Sequence, residues 1–574
     1  MSGFFSIFQN KSVSSDKRTG APVYFLIGAI IGLILYLVIY DKFFLDVTNT
    51  KWIWQEGEDM VQHQLGAAFF RESPWMFPFG CYTTYPYPAV NSIVFSDSLP
   101  LCALLSKLFN GILPESFQYW GIWILFCFMM QGGLSMLILK KIGYRPVLAA
   151  SITPLFICNV VLIHRVFYHC ALASQWIILL AFLVWLHHDD IHNRAKRCLL
   201  WTFICCLSVT IHFYFLPMVG FIMLSDYIYD FLVNRKLLSC IASVFCSALF
   251  TIFLWYSLGG FSAGVPGYGN YGHYVFNLLG FFNSKNYSNF IPAIQTAEGL
   301  KAEKTYLGLG FFLLIASSVI YSIFKLFSST WSKNSKTDTT INEKKAPSDK
   351  RIKYKIAAAL FSGIILLLWA AGPALSIGSL IVYDLRPFIP DSIMYLLSII
   401  RTSSRMIWPV WYATAFLIAY LFIKNYRKLM VFPVILAICF SFIQYLEIIP
   451  NHTTSSKTLP SGSHYESEFY NAVDEKIGSS KQHMAFLSQG AKRYKEPAIY
   501  AAEHHMTMNV GYFARKIINP EFENSVEELR SGDLRDDTLY CIPVKPEIFE
   551  KYEINLSKDA VMEQTGEFYI IYKK

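Results

Sequence analysis

Long apolar runs without a single charged residue recur along this chain until about residue 450, and they limit what it can become. They are Val23–Tyr40, Tyr119–Leu139, Pro146–Ile163, Cys170–Leu186, Leu237–Leu258, Tyr306–Phe324, Ile356–Val382, Met406–Ile423 and Leu429–Leu446. A bilayer-spanning helix needs about 20 such residues. The stretch Cys198–Val233 is longer. As one helix it would measure about 54 Å, against a hydrocarbon core of about 30 Å. It reads as two spans with a turn near His212–Pro217, because Arg194, Lys196 and Arg197 precede it and Arg235 and Lys236 follow. Composition agrees: 54% of the chain is hydrophobic and 16% charged, where a soluble domain carries about 25% charged residues. A cytosolic enzyme, a disordered chain and a disulfide-rich secreted domain are all excluded. The expected fold is an α-helical polytopic membrane protein of about eleven spans.

Charge sets the expected orientation. Basic residues collect on the cytoplasmic side of membrane proteins. Lys11, Lys17 and Arg18 place the N-terminus inside, ahead of a first run read as an anchor rather than a removed signal. The clusters Lys140/Lys141/Arg145, Arg194–Arg197 and Arg235/Lys236, the loop Lys333–Lys355 and Lys424/Arg427/Lys428 then fall inside as well. Three long segments fall outside: 41–118, 259–305 and 383–405. An odd span count places the tail outside too. The division expected is a membrane body over 1–450 and an extracytoplasmic domain over 451–574. From Asn451 onward there are 15 Lys+Arg against 19 Asp+Glu, although the whole chain carries +9. Nucleic acid is not an expected partner, since the basic residues sit between apolar runs. The tail reads as a small α/β unit, with helical spacing over Tyr465–Ile477 and strand composition at Thr538–Val544 and Glu567–Tyr572. Of the twelve cysteines, only Cys81 and Cys102 share a loop, where a pair and two free thiols are equally compatible with the sequence.

Three outer groups could carry chemistry. The first loop holds Glu56, Glu58 and Asp59 among many aromatics, with Asp97 further on. A carboxylate in such surroundings can have a raised pKa and act as a base. His63 lies four residues after Asp59, and Met60–Phe70 reads as an amphipathic helix in the interface. The plainer reading is an aromatic belt with acids facing water. Ser96-Asp97 has a second plain role, capping a helix that begins near Leu99 with Pro100 in its first turn. The second group, His164, Arg165 and His169, sits in the turn between two apolar runs, where ionisable residues are functional candidates. Its plain reading is a snorkelling arginine with capping histidines. A lone His212 reads more simply as a core residue. In the third group Arg386, Arg401 and Arg405 fall outside. Arg401 and Arg405, four apart, would share a helix face and present planar donor forks suited to phosphate. Their plain role is contact with headgroups or with the acids of the first loop.

The stretches EDMVQHQLGAAFFRESPWMFPFG, FSDSLPL, HCALASQW, HFYFLPM, IRTSSRMIWPVWY and AIYAAEHHMTMNVGYFARK cover most of the chain. Their pattern is similar to the GT-C class of membrane glycosyltransferases. It resembles more closely a bacterial GT-C-like family described as a domain of unknown function. That family usually has a glycine before its loop acid; here Gly57 is followed by Glu58 and then Asp59. Its Ser-Gly-Arg pattern stands here as Ser403-Ser404-Arg405. The resemblance implies an inner-membrane enzyme that moves a sugar from a polyprenyl-phosphate carrier to a glycan or lipid-linked acceptor, as in O-antigen or lipopolysaccharide assembly. Asp59 would be the base, with Glu58 and Asp97 as alternatives. Arg401, Arg405 and Arg165 would hold phosphate, with His63, His164, His169 and Arg386 nearby. Some GT-C enzymes use a divalent metal; no clean metal motif appears here, so none is assigned. Trp75 and Tyr85 are candidate sugar-stacking rings.

The rival readings are an O-antigen polymerase, a lipid-linked-glycan transporter, a membrane O-acyltransferase built on His212 and a structural assembly protein. The polymerase pattern places Gly eleven residues after an outer arginine; here Tyr412 follows Arg401 and Leu397 follows Arg386 at that spacing. A transporter would spread polar residues through its spans, whereas here they collect at one face.

Overall fold

A backbone in hydrocarbon must satisfy its own hydrogen bonds, and most of the apolar runs form helices in the computed structural model. It describes residues 20–574 except 56–57, 263–264, 267–270, 333–347, 427–428, 457–458, 479, 489–492 and 545–551. Lys11, Lys17, Arg18, Glu56, Gly57, Arg427, Lys428, most of the expected inner loop 333–355 and the side chain of Glu58 lie outside the described residues. Among the described residues, seven helices are long and apolar enough to cross a membrane: Ala21–Ile39, Trp120–Lys141, Phe215–Asn234, Leu237–Ser257, Lys350–Ala371, Ser403–Tyr426 and Phe432–His452. Shorter apolar helices include Pro146–Ile157, Cys170–Leu186 and Leu309–Lys325. Large apolar side chains such as Leu26, Ile34, Val38, Phe245 and Phe253 remain exposed on the outer faces. This is a membrane-embedded protein.

Pro146–Ile163 and Ile356–Val382 depart from single spans. Pro146–Ile163 leaves the helix at Cys158, and the Asn159 side chain caps a separate turn, Val160–Ile163, by accepting from the Leu162 amide. A side chain that offers the backbone a competing bond is a common helix breaker. Ile356–Val382 is helical only to Ala371. Gly372, at φ +62°, takes the left-handed position that ends many helices. After Pro373 the chain forms the hairpin Ala374–Ile377/Leu380–Asp384. The long stretch expected to turn near His212 does break there, with one helix ending at Ile211 and the next beginning at Phe215.

The first span crosses Trp120–Lys141 at glycines. A Cβ on Gly28 would run into the backbone of Gly132, and one on Gly132 into that of Gly28. Small residues at such crossings let two backbones approach and gain packing where no hydrophobic drive exists between helices. This pair anchors the loop 41–118 between fixed ends.

The tail forms a mixed five-stranded sheet. Ala560–Thr565, Phe568–Lys573 and Thr538–Pro543 are antiparallel neighbours, and His483–Phe486 and Thr507–Met508 extend the sheet in parallel. The helix Glu468–Lys476, capped by Ser467, lies against it. A segment then leaves this sheet and docks on the first loop. Met508 N donates to Thr84 O at 3.0 Å, Tyr87 N to Met508 O at 2.7 Å and Ala514 N to Phe95 O at 2.7 Å. Arg515–Lys516 pairs with Val265–Pro266.

Candidate functional site

The helix Glu58–Glu72 carries Asp59 in its first turn. It does not lie in an interface: Met60, Val61, His63, Leu65 and Phe70 are all covered. Its polar residues find internal partners instead. Trp120 Nε1 donates to Gln64 Oε1 at 2.8 Å, and Gln64 Nε2 to Phe117 O at 2.9 Å. Arg71 reaches Asn110 and the Glu115 carbonyl. The helix is a packed strut that fixes Asp59.

Asp97 is not a helix cap. Helix Pro100–Leu108 has Leu99 at its N-cap, with no side-chain bond. Asp97 and Leu99 both adopt left-handed backbone, φ +54° and +52°, a strained choice for such residues. The turn is held from both sides. Ser98 Oγ donates to His63 O at 2.7 Å, and the Tyr119 hydroxyl donates to the Ser98 carbonyl. The result aims the Asp97 carboxylate at a cavity.

That cavity has a volume of about 760 Å³ and is lined by Asp59, Asp97, His169, His212, Tyr214, Tyr274, Arg401, Arg405, Tyr512 and Arg515, among others. Histidines stand behind the acids: His169 Nε2 is 3.5 Å from Asp59 Oδ2, and His212 Nε2 is 3.5 Å from Asp97 Oδ1. His212 Nδ1 accepts from the Tyr214 amide, so its proton sits on Nε2, facing Asp97. His63 is fully buried beside His169, ring centroids 5.7 Å apart. Arg401 caps the end of one short 3-10 turn, Ser398–Ile400, and Arg405 lies in the next, Ser403–Ile407, so they do not share one helix, yet both reach the cavity. Arg405 lies over the Tyr214 ring at 5.0 Å and Arg401 over Tyr274 at 5.7 Å.

Burial pushes the Asp97 carboxyl up to about 6; Arg405 and Arg401 oppose the rise and Asp59 adds to it. Burial takes His63 down to about 3. Burial and then Arg405 hold His169 and His212 well below the usual range. With neutral histidines, Asp59 and Asp97 face Arg401, Arg405 and Arg515, so the wall carries a net positive charge suited to an anion.

Other candidates lie elsewhere. Arg165 is buried in an ion pair with Glu303, which also accepts from Ser404 Oγ at 3.3 Å, and its guanidinium lies over Trp408. His164 Nδ1 is 2.6 Å from the Tyr287 hydroxyl. Arg386 forms an ion pair with Asp384 at 2.6 Å, at the end of the hairpin. None of the three lines the cavity. Tyr85 is fully buried and stacked on Phe69, so it offers no face to a sugar. Trp75 is half exposed beside Lys107, away from the cavity lining. Cys81 and Cys102 are both free thiols.

A family model described as a domain of unknown function, DUF6311, matches residues 29–448, and a model of the DUF6311 C-terminal domain matches residues 475–573. The chain belongs to the DUF6311 family. No curated protein matches it. In this DUF6311 protein the cavity draws on both matched regions. Asp59, Asp97, Arg401 and Arg405 come from the first, and Tyr512 and Arg515 from the second. Tyr512 and Arg515 were not singled out from the sequence, although both fall in the tail stretch AIYAAEHHMTMNVGYFARK that carried the family resemblance.

Proposed function

We propose that this DUF6311 protein is an inverting, GT-C-type membrane glycosyltransferase. It moves a sugar from a polyprenyl-phosphate carrier to a glycan or lipid-linked acceptor at the periplasmic face of the bacterial inner membrane. About eleven helices cross the membrane, the N-terminus is cytoplasmic, and a tail domain over 451–574 is periplasmic. The observation that carries this reading is the convergence of two carboxylates and three arginines from four distant stretches on one cavity. A surplus of fixed positive charge beside a base fits a sugar phosphate better than a neutral substrate.

Asp59 accepts the proton of the acceptor hydroxyl as its oxygen attacks the anomeric carbon. The bond from that carbon to the phosphate oxygen breaks on the opposite side, and the lipid phosphate departs with the electron pair. Arg401 and Arg405 neutralise the growing charge, and donors placed for that purpose typically contribute about 10²–10³ in rate. Opposed attack and departure invert the anomeric centre. The buried Arg165–Glu303 pair holds Ser404, and with it the arginine turn, in place.

Reconstitution in liposomes with a radiolabelled polyprenyl-phosphate sugar and lipid-linked glycan tests the reading. Label is expected to move to the acceptor, and cells lacking the protein are expected to lose one sugar per surface-glycan repeat. Label that crosses the bilayer without changing its carrier would replace the reading with transport. Glycan shortened in repeat number but intact in repeat mass would replace it with polymerisation.

A further inference from the structure

At the wall of the cavity, three side chains from three separate segments converge. His63 comes from helix Glu58–Glu72, Asp97 from the left-handed turn and His169 from the turn before Cys170. One ligand atom of each lies within 4.8 Å of the others. His63 is fully buried, and neither of its ring nitrogens has a hydrogen-bond partner among the described residues. A buried polar group almost always has one. His169 Nδ1 is likewise buried without a partner among the described residues, while its Nε2 faces Asp59 at 3.5 Å.

This is the pattern of a metal ligand shell. An imidazole that binds a metal through one nitrogen commonly donates its other N–H to a carboxylate, which fixes the ring and its tautomer. One nitrogen from each ring and one carboxylate oxygen are the donors that zinc-type ions choose, in the two-histidine, one-carboxylate set of open catalytic sites. Ligands bonded at about 2.0–2.2 Å in a tetrahedron stand about 3.4 Å apart, so the cluster closes on an ion with shifts of about 1 Å.

We propose that His63, Asp97 and His169 bind one divalent transition-metal ion, with Asp59 holding His169 from behind and a coordination position open to the cavity. Asp97 and His169 both line that cavity, so a bound ion can meet an anionic substrate oxygen there as a Lewis acid. The proposal needs only these side chains and stands apart from the sugar-transfer reading.

The test uses the full chain, purified in detergent without a histidine tag and stripped with chelator. Zn²⁺ is the probe for stoichiometry by elemental analysis, and Co²⁺ the probe for ligand type by visible absorption. One equivalent of Zn²⁺ is expected to survive dialysis, with thermal unfolding shifted upward by added metal. His63→Asn, His169→Gln and Asp97→Asn are each expected to lose that equivalent and the shift. Asp59→Asn is expected to weaken binding about 10–100-fold, as for other partners of ligating histidines. His505→Ala, at an exposed histidine, is expected to change nothing. Size-exclusion profiles identify which variants remain folded. Absence of stoichiometric binding in the wild type, or its retention in every folded ligand variant, would overturn the proposal.

Discussion

Charges are buried in two places along the helix Phe215–Asn234, and the two differ in how the charges are used. About 17 and 23 Å along that helix from its cavity end, Asp226 and Asp230 are fully enclosed. Asp226 accepts from Trp201 Nε1 at 2.8 Å and lies 2.7 Å from His188 Nδ1. Asp230 pairs with Arg194 and Arg197, each at 2.9 Å. Every acid there is answered by a cation or donor of the same fold. At the other end the acids and arginines face an open volume. Arg401 and Arg405 rest on tyrosine rings, and no ion pair ties either to a carboxylate among the described residues. Breaking a buried ion pair is expensive, so the closed network serves the fold. A set of charges left facing empty space is poised for something that enters.

Substitutions can break this contrast. Asp59→Asn removes the base and is expected to lower transfer by about 10²–10⁴, with membrane insertion and the unfolding temperature of the metal-free protein unchanged; a radiolabel assay beside a thermal melt in chelator checks both. Asp226→Ala is expected to do the reverse. It leaves His188 and Trp201 without their partner and should destabilise the fold by about 3–5 kcal/mol, read from equilibrium unfolding, while any folded fraction keeps its transfer rate. Arg405→Ala is expected to lower turnover by about 10²–10³ without loss of stability. If it unfolds the protein instead, the cavity arginines belong with the structural network and the contrast fails. Gly132→Val is the mildest case. It pushes Gly28 away and should weaken the crossing of the first span by about 1–3 kcal/mol, visible as a lower melting temperature with a working cavity in the folded fraction.

Much of this was legible in the sequence, for identifiable reasons. The apolar runs announce their helices because length and the absence of charge are properties of single segments. Asp59, Asp97, Arg401 and Arg405 could be singled out because an ionisable residue beside apolar runs stands apart from its neighbours. What hydropathy could not separate was strand from helix after Ala371, where Ala, Leu, Ile and Val suit both; Gly372-Pro373 was the signal to stop. Partners distant in sequence were also hidden. Nothing local in Arg165 points to Glu303, or in Glu447 to the hydroxyls of Ser288 and Tyr306 that it accepts from at 2.6 and 2.7 Å. His63 looked like a neighbour of Asp59 on a surface helix. Only the packed fold reveals that its ring is sealed away from water beside His169.

The strip Tyr512–Arg515 brings the tail into the lining of the cavity. The tail is therefore a gatepost of the cavity, built on its own sheet and hydrogen-bonded to the first loop. Relatives that differ in what they admit would differ there first, and grafting one tail onto another body is the direct way to transplant that preference.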